Sequence, residues 1–165
     1  MPRREVQRIE FRPTDAQAVL DAMAVIAGAS DGWMNILPGV EPEDEPDQPT
    51  GLSALLAPRT AGVVMSTWAP PATTRRGHEG ATIGIMHSKG RFAARQLAGL
   101  GVPLPEGWVV RQDHARRGLI VTASADASDS DMLDWMIAAT TALCSLTLTG
   151  DWAAQIYFPR THRAS

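Results

Sequence analysis

The chain has 165 residues, 44% of them hydrophobic and 20% charged, with a net charge of −3 at pH 7. That length suits one domain with a proper core, and that composition excludes a disordered chain. The acidic balance argues against a large phosphate-binding face, the single cysteine excludes an intramolecular disulfide or a Cys-rich zinc site, and no run reaches the ~18 apolar residues of a membrane span.

In chain order, "EVQRIEF" (5–11) reads as an edge strand with Ile9 and Phe11 on one face. Thr14 and Gln17 fit a capping box ahead of a helical stripe of Val19, Leu20, Met23, Ile26 and Ala27, and Gly28 begins its end. "SDGWMNILPGV" reads as a turn followed by an irregular apolar stretch. The segment 41–49, rich in acids and prolines, is expected to be an extended solvated loop. "GLSALLAP" offers one or two helical turns, and "AGVVMSTWAPP" a strand closed by two prolines.

The order then becomes regular. "ATIGIMH" (81–87) is a strand, "SKGRFAARQLAGLG" (88–101) a helix, "GWVVRQD" (107–113) and "RGLIVTAS" (117–124) a hairpin. A helix capped at Ser128 or Ser130 carries Leu133, Met136, Ile137 and Thr140 on one stripe, "DWAAQIYFP" (151–159) is the last strand, and 160–165 is a polar tail. Residues 81–159 thus read βαββαβ, the ferredoxin-like order, preceded by an N-terminal β-α-β. The expectation is a single α+β domain over 1–165, with a mixed, mostly antiparallel sheet and helices on one face. The N-terminus lacks the apolar core of a signal peptide, so a cytoplasmic location is expected.

Several chemistries fall away. The strands matching the RNA-recognition positions contain no aromatic, and fourteen arginines against one lysine look like codon bias, so no nucleic-acid role is expected. His78, His87, His114 and His162 show no metal-ligand spacing, and Cys144 lies in an apolar pattern that suits a buried thiol. No nucleophile motif, P-loop or dinucleotide fingerprint is present, so neither catalytic residues nor a cofactor nor a metal is assigned.

Two features retain a functional reading. In "IGIMHSKGRF" (83–92), His87 alternates with Ile83 and Ile85, Ser88 is placed to cap a helix, and the amides of Lys89, Gly90 and Arg91 would face an anion. His87, Ser88, Lys89, Gly90 and Arg91 are therefore the candidate ligand-binding set, for a small anionic metabolite, against the plainer reading of a capped turn. The second feature is aromatic: Trp33, with Ile36 and Leu37 in the apolar segment 33–40, and Trp68 before Pro70 and Pro71. These four either cover the core edge or, with the open sheet face, form a contact surface between two copies of the chain. Trp108, Trp135 and Trp152 fit core faces. The leading expectation is a non-enzymatic binding domain, and the alternative a homodimeric interaction module.

Overall fold

The computed structural model describes residues 4–41 and 64–160. Among these residues twelve elements follow in chain order: β1 Val6–Phe11, α1 Gln17–Ala29, β2 Trp33–Val40, β3 Met65–Ala69, β4 Ala72–Thr74, β5 Gly77–Glu79, β6 Thr82–Met86, α2 Ala93–Gly99, β7 Val109–His114, β8 Gly118–Thr122, α3 Asp129–Leu143 and β9 Leu148–Tyr157. The class is α+β. The readings for most of 41–49, for "GLSALLAP", and for the tail beyond Arg160 lie outside the described residues.

Seven strands form one sheet in the order β1-β9-β2-β3-β6-β8-β7, and every neighbouring pair is antiparallel. β4 and β5 make a separate two-stranded ribbon. The chain order from β6 to β9 is the expected βαββαβ, and β6, β8 and β7 are adjacent as a ferredoxin-like sheet requires. That arrangement would also set β9 beside β6. Here β2 and β3 lie between them, and β9 pairs with β1 and β2 instead. The physical reason is that β2, read as irregular, is a full eight-residue strand with its own apolar face to bury.

Alternation places the core. Met34 and Ile36 of β2, Ser66 and Trp68 of β3, Ile83 and Ile85 of β6, and Leu119 and Val121 of β8 are buried on one sheet face. On that face α3 packs over β2, β3 and β6, with α1 on one side and α2 on the other. Trp108 and Trp135 meet edge to face in this core, and Trp135 Nε1 donates to the Pro103 carbonyl at 3.1 Å. Trp152 is buried in the same cluster.

Helix ends differ from the sequence expectation in two places. The Thr14–Gln17 box does not form: α1 begins at Gln17 behind Ala16, and the Gln17 amide donates instead to Asp21. α2 begins at Ala93, not at Ser88 or Lys89. α3 behaves as expected, since Ser128 Oγ accepts the Asp131 N–H at 3.0 Å.

Candidate functional site

The turn 87–92 leaves β6 and enters α2. His87 follows Ile83 and Ile85 in alternation, and its Nδ1 accepts the Lys89 N–H at 3.2 Å. Gly90 has φ +79, a backbone conformation that a Cβ disfavours, which explains the glycine by conformation and not by close approach of a ligand. Ser88 is exposed and does not cap the helix. Gln96 closes the turn from inside α2 by donating through Nε2 to the carbonyls of Lys89 and Arg91, at 2.9 and 3.0 Å.

The anion at the start of α2 belongs to the protein itself. Asp113 of β7 accepts the Ala93 N–H on Oδ1 at 3.0 Å and the Ala94 N–H on Oδ2 at 3.1 Å. A carboxylate there satisfies two orphan amides and complements the helix dipole. The Lys89, Gly90 and Arg91 amides thus do not lie at the helix start: the helix begins later, at Ala93, and Asp113 takes its first two amides. His87 lies near enough to Asp113 for the carboxylate charge to favour its protonation, but burial is the larger effect and lowers the histidine pKa below its ordinary value.

Asp113 also ties this turn to a second one. β7 and β8 are joined by residues 115–117, and His114 Nδ1 accepts the Arg116 and Arg117 N–H groups at 3.1 and 3.2 Å. Gln112 Nε2 donates to the Arg117 carbonyl at 3.2 Å. Gly118 closes the turn with φ +83, and any Cβ there would strike the Ile85 carbonyl. Two braced turns therefore stand side by side, carrying Lys89, Arg91, Arg116 and Arg117, with Arg95 on the first turn of α2. All five cations are exposed, and none of them forms an ion pair among the described residues. Arg116 and Arg117 had no sequence signal linking them to residue 89; the link is the Asp113 cap, some twenty residues away from the helix it serves.

The aromatic candidates separate. Trp68 and Ile36 have no exposed surface, so both belong to the core and not to a contact surface. Strict alternation along β2 and β3 turns them toward the helices. Trp33 and Leu37 face the other way. Trp33 stacks on Tyr157 with ring centroids 4.5 Å apart, and the Arg4 guanidinium covers it at 4.8 Å. Arg4 is held by Asp31 at 2.8 Å, and Asp31 also accepts the Arg160 N–H. These hydrogen bonds, with Arg160 first and Arg4 second, lower the Asp31 pKa.

The three described histidines do not meet. His78 lies on the β4–β5 ribbon near Thr73, His87 and His114 each brace a turn, and no group of three His, Cys, Asp or Glu suited to a metal occurs among the described residues. Clefts of about 260, 320 and 500 Å³ open elsewhere on the described surface, and none touches the two turns. No described helix is long and apolar enough to cross a membrane. Comparison with protein-family models, with curated proteins and with solved structures found no match to this chain.

Proposed function

We propose that the protein is a non-enzymatic binding domain that takes an anionic partner on the side chains of the two braced turns. One observation carries this reading: five exposed cations, none in an ion pair among the described residues, lie on two neighbouring turns and the start of α2 in a chain whose net charge is −3. The carboxylate among them, Asp113, is turned inward onto the Ala93 and Ala94 amides. The partner meets guanidinium and ammonium groups, not helix amides. Each described histidine bonds through Nδ1 to a group on its own turn or ribbon, an arrangement that supports bracing over acid–base work.

Calorimetry with polyglutamate and with inorganic tripolyphosphate tests the reading. Binding is expected to weaken as salt is raised, because exposed charges are screened. Arg91→Ala and Arg116→Ala should each weaken it roughly fivefold, the scale of one exposed charge contact near 1 kcal/mol. Binding that ignores both arginines, or no binding of either polyanion, contradicts it.

A second reading has its own support. The described helices cover one sheet face, while Trp33, Leu37, Met65, Met86 and Ile120 lie half-buried on the other. A second copy of the chain could cover that face. Light scattering should then give a dimer mass, and Leu37→Glu a folded monomer. A monomeric wild type removes this second reading and leaves the first untouched.

A further inference from the structure

Phe92 is the residue between the two kinds of order in this corner, the turn before it and α2 after it. Its φ is +63, in the left-handed region that a phenylalanine rarely occupies, and its side chain is 58% exposed. Either feature alone would be unremarked in a loop. Together they are costly without a return inside the fold, since the ring buries little and the backbone is strained. The strain persists because the surroundings impose it: Asp113 pins the two amides that follow, and Gln96 pins the Lys89 and Arg91 carbonyls before it. Arg95 lies over the ring at 5.1 Å, a contact that favours one ring orientation while more than half of the side chain stays exposed. The result is an exposed aromatic side chain under Arg95, on the turn that carries Lys89 and Arg91 and beside the turn that carries Arg116 and Arg117.

We propose that Phe92 is the specificity-determining contact of this corner, and that its partner is an acidic protein segment bearing an apolar side chain. The inference rests on the binding reading above and narrows it. A small anion could satisfy the cations but has nothing for an exposed phenyl ring. An acidic segment with an apolar residue matches both, with carboxylates on the arginines and the apolar group on the ring. A single-stranded nucleic acid would also match charge and ring. The acidic chain disfavours it, and so does the presence of one ring where a strand of bases would use several.

Two labelled synthetic peptides of equal length and charge provide the probes, one with leucine and tryptophan among its acidic residues and one with glycine at those positions. Fluorescence anisotropy should show the apolar-acidic peptide binding roughly tenfold more tightly. Phe92→Ala should abolish that difference while leaving the glycine peptide's affinity unchanged. Phe92→Asn, which tolerates the left-handed backbone, should do the same with the melting temperature held or raised, so that loss of binding is separated from loss of fold. If the two peptides bind equally and neither variant changes them, the role of Phe92 is overturned and the cationic reading stands. If neither peptide binds, the cationic reading itself is overturned. If a homothymidine strand binds more tightly than both peptides and depends on Phe92, the partner class is wrong.

Discussion

At His87 the imidazole Nδ1 accepts the Lys89 N–H, so the neutral ring carries its proton on Nε2, and that atom is buried with no hydrogen-bond partner among the described residues. Protonation would cost the Lys89 bond and place a charge in a partly dry position. Burial accordingly lowers the His87 pKa, with the Asp113 charge opposing it. The unfolded chain therefore takes up this proton at a higher pH than the folded one. Stability should be level above the ordinary histidine value of 6.5, fall as the pH drops through it, and level off again below the folded value. Urea unfolding between about pH 5 and 8 checks this, and His87→Asn should flatten that part of the curve. A protein that instead gains stability on acidification through that range contradicts the assignment. The sequence showed which face His87 takes, because alternation with Ile83 and Ile85 is a local pattern. It did not show what lies opposite, since Asp113 arrives from another strand. Ser88 illustrates the same limit: serine before a helical pattern is a sound cap signal, yet Gly90 and Phe92, both at positive φ, delay the helix to Ala93.

Among the elements, α2 depends most on a distant residue. It has seven residues, too few to hold itself together in water, and no side chain of its own caps it. Its buried Ala93 and Leu97 and the Asp113 carboxylate supply what its sequence does not. Asp113→Asn should keep one acceptor and lose the charge, lowering stability by about 1 kcal/mol in chemical unfolding. The same change removes a negative charge beside these cations, so affinity for polyglutamate should rise while stability falls. Opposite signs in one variant separate this account from general damage; a parallel loss of both contradicts it. β2 was the element least legible in the sequence. Pro38 and Gly39 argue against a strand, but β3 pairs only with Met34–Ile36, so Pro38 lies where that pairing has ended and the strand leans on β9 alone. Once β2 is a strand, alternation alone assigns Ile36 to the core and Leu37 to the opposite face. Trp68 follows by the same rule, two residues from Ser66 and in register with Met34 and Ile83.

Across the whole molecule, the element order from β6 to β9 was readable because each helix and hairpin carries its own local pattern. The insertion of β2 and β3 between β9 and β6 was not, since strand neighbours are chosen by long-range pairing that no single stretch encodes. The same division holds for charge. The acidic net charge argues against a large phosphate-binding face, yet Lys89, Arg91, Arg95, Arg116 and Arg117 lie exposed on two neighbouring turns and the start of α2, with Asp113 beneath them as a helix cap. An average over the chain hides such a patch. Hydrogen bonds within and between its turns brace the corner, so the proposed binding should need no large rearrangement. Amide chemical-shift mapping of the full chain, titrated with the apolar-acidic peptide, tests this claim most directly. The account predicts perturbations confined to residues 87–96 and 113–118, with the β2 and β9 amides still. Shifts centred on Trp33 and Leu37, or spread without focus over the surface, would contradict it.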